Sequence, residues 1–157
     1  VLPIEQIHPV VLHFPIVFTL TLVVFDATAL SRGALIGGRR CVANVSTGLA
    51  VLAGIAAAVT FIFGDLAFDA AIAAGAPDSL LETHEELGEV TAFVLLAWAI
   101  IRGILWWRKM PLPGYRGLSI VVIEFGISAL IVTTAYFGGQ LVYEFGVGVT
   151  SALPVVN

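Results

Sequence analysis

Four apolar stretches, each long enough to cross a lipid bilayer and separated by short polar turns, leave this 157-residue chain little choice of fold. They fall at residues 9–30, 42–63, 80–107 and 118–137. At 1.5 Å per residue the first is about 33 Å long and the third about 42 Å, against a hydrocarbon core of about 30 Å. The third must therefore tilt or stand partly outside the membrane. Composition agrees: 59% of residues are hydrophobic and 11% charged, where a soluble domain carries about 25% charged residues. The chain is read as one domain over residues 1–157, an all-α integral membrane four-helix bundle, antiparallel and up-down, with a short outer C-terminal tail. Nothing is left over for a separate soluble domain. The single cysteine, Cys41, excludes an internal disulfide and the Cys-x-x-Cys-His run of covalently attached haem.

The turns carry the topology. All seven basic residues, Arg32, Arg39, Arg40, Arg102, Arg108, Lys109 and Arg116, lie in or beside the turns after the first and third spans, which the positive-inside rule places in the cytoplasm. Both termini and the middle turn then face the periplasmic side of a bacterial inner (cytoplasmic) membrane. Several local features are expected along the way. Ala50, Gly54 and Ala58 are spaced for close helix packing. The second span ends near Phe63, and residues 64–74 form a short segment lying on the membrane surface. Ser79 and Glu82 have capping-box spacing at the start of the third helix, and Gly138-Gly139 weakens or ends the fourth.

The three histidines, His8, His13 and His84, all fall on the predicted outer side. Ionisable or ligating side chains at the edge of a membrane helix are costly to bury, and are functional candidates for that reason. His8 and His13 are five residues apart, about 140° around a regular helix, so they should not face one neighbour. Pro15 removes the backbone donor that the Val11 carbonyl would use, which predicts an irregular turn beside His13. His13 and His84, on different helices at similar depth, are the pair expected to bind haem b as axial ligands, with Gly88 one turn beyond His84 leaving room for a flat ligand. A copper or zinc site adding His8 requires a distorted first turn. His84-Glu85-Glu86-Leu87-Gly88 lacks the second histidine of a zinc-protease helix. Asp26, Arg102 and Glu124 lie in the cytoplasmic thirds of three spans and are expected to pair, with a proton or quinone-head-group site as the sharper alternative.

His8-Pro-Val-Val-Leu-His13-Phe-Pro15, His84 at the head of the third helix, and Gly138-Gly-Gln-Leu-Val-Tyr-Glu-Phe-Gly-Val-Gly148-Val together resemble a family of bacterial membrane proteins catalogued as domain of unknown function 2231. The resemblance covers almost the whole chain. It implies a four-helix membrane domain, sometimes associated with cytochrome-like proteins, and no established activity. That family's last motif commonly has histidine where this chain has Phe145, so the resemblance leaves His8 without a partner on the fourth helix and favours His13 with His84. The expected function is a membrane-bound b-type haem electron-transfer subunit of a larger bacterial redox complex, exchanging electrons with quinone or a periplasmic cytochrome. The alternative is a cofactor-free structural or assembly subunit. No nucleophile-and-base constellation marks the chain as an enzyme on its own. The expected partners are the lipid bilayer and other membrane subunits, and not nucleic acid.

Overall fold

The computed structural model describes residues 4–73 and 75–147. The chain runs through α1 (Ile4–Val11), α2 (His13–Ser31), α3 (Cys41–Ala73), α4 (Asp78–Trp107) and α5 (Tyr115–Tyr143), and among the described residues there is no strand. Helices α1 and α2 are one membrane span interrupted at Leu12, so four spans cross in up-down order. Helix α2 packs on α3 and α5, and α4 packs on α3 and α5, closing a four-membered ring. The outer surface is apolar, with Val17, Val24, Ile55, Phe93, Ile100 and Val122 all exposed. A soluble protein does not leave so much apolar surface uncovered, and here it faces lipid.

The interior is built from small residues. Ala43, Ser46, Ala50, Ala53, Gly54 and Ala57 are the buried face of α3, so the stripe follows three- and four-residue steps and Ala58 is only half-buried. A methyl group added at Gly54 would sit 2.7 Å from the Ala99 Cβ and 3.1 Å from the Leu95 carbonyl oxygen. That contact lets α3 and α4 approach closely, and theirs is the most extensive helix pairing in the fold.

Several boundaries differ from the sequence expectation. Helix α3 does not stop near Phe63 but continues through Ala73, with Asp65 and Asp69 exposed on its outer turns. At 33 residues it is about 50 Å long, so those turns project beyond the hydrocarbon. They are held there by a second small cluster of Ala71, Ala76, Leu81 and Leu141, which makes a surface-lying segment unnecessary. Helix α4 begins without a capping box: Pro77 is its N-cap, no side chain caps it, and the only side-chain bond made to Ser79 among the described residues is from the Thr83 hydroxyl to its carbonyl oxygen. Helix α5 runs straight through Gly138-Gly139 to Tyr143, because packing at Gly138, described below, outweighs its low helix propensity. The expected C-terminal tail lies outside the described residues.

At the basic end, the α2–α3 turn folds back under the bundle with Ile36 1% exposed, and Leu112 from the α4–α5 turn closes the other side. Arg39 lies over the Trp106 ring, 4.6 Å from its centroid, and Trp106 Nε1 donates to Asn44 Oδ1 at 2.7 Å. Exposed Tyr115 and Tyr136 on α5 are separated by about 32 Å of helix, which matches the distance between the two membrane interfaces.

Candidate functional site

At the end of the bundle away from the basic turns, two imidazoles meet. The rings of His8 and His84 lie with centroids 6.3 Å apart and planes crossed at 82°. Each is anchored the same way. His8 Nδ1 is 3.1 Å from the Thr60 carbonyl oxygen, and His84 Nδ1 is 3.1 Å from the Thr134 carbonyl oxygen. A carbonyl oxygen can only accept, so in both rings Nδ1 carries the hydrogen and Nε2 is left as the lone-pair nitrogen, the form in which imidazole ligates a metal.

Two glycines make the room. A Cβ at Gly64 would be 3.0 Å from His8 Cε1, and one at Gly138 would be 2.7 Å from His84 Cε1. The threonines do more than accept. Thr60 Oγ1 sits 3.3 Å from the Val11 carbonyl oxygen, the acceptor that Pro15 leaves without its helical donor, and 2.8 Å from the Ala56 carbonyl oxygen. Thr134 Oγ1 sits 3.4 Å from the Leu87 carbonyl oxygen and 3.1 Å from that of Leu130, and shares a 2.8 Å hydrogen bond with Thr91 Oγ1.

These halves repeat one another. Thr60-Phe-Ile-Phe-Gly64 on α3 matches Thr134-Ala-Tyr-Phe-Gly138 on α5 at Thr, Phe and Gly. The pairs His8/His84, Val11/Leu87 and Asp26/Arg102 are each 76 residues apart, and Thr60/Thr134 and Gly64/Gly138 are each 74 apart. The chain thus repeats one helical-hairpin pattern, and its two half-buried histidines meet at equivalent positions of the two halves.

The second equivalent pair lies 18 residues along from the first, as Asp26 follows His8 and Arg102 follows His84. Eighteen residues are about five helical turns, so Arg102 lies on the same face of α4 as His84 and about 27 Å away. Arg102 and Asp26 form a buried ion pair at 3.0 Å. Arg102 also reaches Glu124 at 3.4 Å and donates to Ser46 Oγ. The charge-paired network expected between these three spans is therefore present.

Of the residues singled out from the sequence, His84 and Gly88 line a cavity of about 320 Å³ that also receives His8 and His13. Gly88 has no atom within 4 Å of where its Cβ would stand, so it opens space without touching an imidazole. His13 is exposed, whereas His8 is the ring in contact with His84. The reason is the start of the first span. The helix begins by Ile4 and not at Pro9, so His8 is already helical, on a turn of α1 that packs against α3. The sequence reading did not anticipate Gly64, Gly138, Thr60 or Thr134, and the repeated Thr-x-x-Phe-Gly was the signal that would have found them.

Neither a curated protein nor a solved structure matches the chain. A family model described as predicted membrane protein (DUF2231) matches residues 5–151. By that match over nearly its whole length, the chain belongs to the DUF2231 family of membrane proteins.

Proposed function

We propose that the protein is a b-type haem electron-transfer subunit whose axial ligands are His8 and His84. The observation that carries this reading is the 6.3 Å separation of two rings whose Nδ1 atoms are both committed to carbonyl oxygens. Two metal–nitrogen bonds of about 2.0 Å each, plus about 1.1 Å from each nitrogen to its ring centre, would give a span of about 6.2 Å across one metal, close to that separation. The cavity of about 320 Å³ is within the range of small-molecule sites.

Donor chemistry favours haem over a bare ion. Among the described residues no three His, Cys, Asp or Glu side chains converge on a metal position. A copper or zinc ion would therefore have two protein ligands where zinc takes three or four. A porphyrin brings four nitrogens of its own. Bound there, haem would supply a one-electron iron couple, and His8 and His84 would both hold it, which suits electron transfer better than ligand activation.

By the positive-inside rule the basic turns are cytoplasmic and the histidine end faces the periplasm of a bacterial inner membrane. That end displays Asp65, Asp69, Asp78, Glu82, Glu85 and Glu86, all exposed, a surface suited to a basic redox partner such as a cytochrome. Quinone, reaching the cavity from the lipid, is the alternative electron donor.

An absorption spectrum of protein purified from haem-replete cells tests the reading. The expected result is a Soret band with low-spin features, lost in His8→Ala and in His84→Ala and retained in His13→Ala. A colourless preparation would leave the two rings as a packing contact in a structural or assembly subunit. Loss in His13→Ala with retention in His8→Ala would overturn the ligand assignment.

A further inference from the structure

At the opposite end of the bundle, the ion pair has a third member that the repeat does not account for. Asp26 and Arg102 are equivalent positions and balance each other, but the position corresponding to Glu124 in the first hairpin is Ala50, and Glu124 brings a second carboxyl. Asp26, Arg102 and Glu124 are 0%, 1% and 1% exposed. Two carboxylates beside one guanidinium would leave an uncompensated negative charge inside a membrane bundle, which is strongly unfavourable.

The surroundings decide where neutralisation falls. Asp26 Oδ2 accepts from Ser46 Oγ at 2.7 Å and from Arg102 at 3.0 Å, the short, charge-assisted contacts that favour a carboxylate. Glu124 has only longer ones, to Arg102 at 3.4 Å and from Trp98 Nε1 at 3.3 Å, both at Oε1. Asp26 Oδ1 and Glu124 Oε2 are buried with no other hydrogen-bond partner among the described residues. Both carboxyl groups reach the same guanidinium, Asp26 at 3.0 Å and Glu124 at 3.4 Å. A buried carboxyl oxygen with no donor is relieved when its own group carries a hydrogen. Among the described residues no other titratable group belongs to this network: α2 contributes Asp26, α3 Ser46, α4 Trp98 and Arg102, and α5 Glu124.

We infer that Glu124 holds a single proton beside the Arg102–Asp26 ion pair, enclosed at the basic end of the bundle. The guanidinium then pairs with one carboxylate and the network is neutral. Ile36, whose carbonyl oxygen is 3.5 Å from Arg102, covers the site from the α2–α3 turn. The site stands about 27 Å along the helices from the histidines and does not depend on what they bind.

Infrared spectroscopy of the full-length protein in lipid nanodiscs at neutral pH tests this directly. The expected spectrum contains the C=O stretch of a protonated carboxylic acid in a water-poor setting. That band shifts when glutamate is labelled with 13C at its carboxyl carbon, stays in place when aspartate is so labelled, and disappears in Glu124→Gln. Labelling of the unaltered protein keeps the test valid even if the variant folds poorly. Absence of the band, a band that shifts with aspartate label only, or one that survives in folded Glu124→Gln would overturn the assignment.

Discussion

Gly138→Ala measures how tightly the histidine site is built. The new Cβ would stand 2.7 Å from His84 Cε1 and 3.3 Å from both ring nitrogens. The ring cannot simply swing aside, because its Nδ1 is held by the Thr134 carbonyl one turn earlier on the same helix. Restoring an ordinary carbon–carbon contact requires a displacement of about 0.7 Å, an overpacking of the kind that costs about 1–3 kcal/mol. Against this, replacing glycine by alanine inside a helix gains about 0.5–1 kcal/mol. Gly88→Ala isolates that gain, since its Cβ would meet nothing within 4 Å. The expected order of stability is Gly88→Ala above the parent, Gly64→Ala lower because its Cβ would lie 3.0 Å from His8 Cε1, and Gly138→Ala lowest. Gly138→Ala should fall about 1–3 kcal/mol below Gly88→Ala, read from reversible unfolding in mixed micelles by far-ultraviolet circular dichroism. Equal stability of Gly138→Ala and Gly88→Ala would show that His84 is not pressed against α5, and the site geometry would fail with it.

Two further outcomes follow from packing and topology. Gly54→Ala, with its Cβ 2.7 Å from the Ala99 Cβ, should lower stability by about 1–3 kcal/mol in the same assay, while Gly48→Ala, open on all sides, should not. Exposed Cys41 should react with a membrane-impermeant thiol reagent only from the cytoplasmic side, and Ser79→Cys in a Cys41→Ser background only from the periplasmic side. Labelling of both from one side would contradict the up-down fold.

How much of this the sequence discloses differs by level. The spans and the sign of their turns were legible because lipid enforces them: an apolar run of bilayer length has few alternatives. Helix ends were less legible, since the α3–α4 hairpin extends beyond the hydrocarbon on the strength of contacts among Ala71, Ala76, Leu81 and Leu141 that no local pattern announces. The histidine pairing turned on where the first helix begins. Counting His8 and His13 around an ideal helix separates them, but it takes the start of α1 at Ile4 and the space left by Gly64 to show which ring turns inward. Gly138-Gly139 reads locally as a helix end because propensity describes an isolated helix. Packed against an imidazole, the same missing Cβ is what lets the helix continue.

The repeat of the two hairpins explains why the two polar sites differ in kind. At both sites residues in equivalent positions meet, so what one hairpin presents is met by its counterpart. Two neutral imidazoles can meet this way, as His8 and His84 do. Identical charges could not meet in a membrane interior, where their repulsion would go almost unscreened. At the corresponding positions of the other site the two halves have diverged to opposite signs, Asp26 against Arg102, and pair at 3.0 Å. Glu124, facing them without an acidic equivalent, disturbs that balance by one unit, and a single proton restores it.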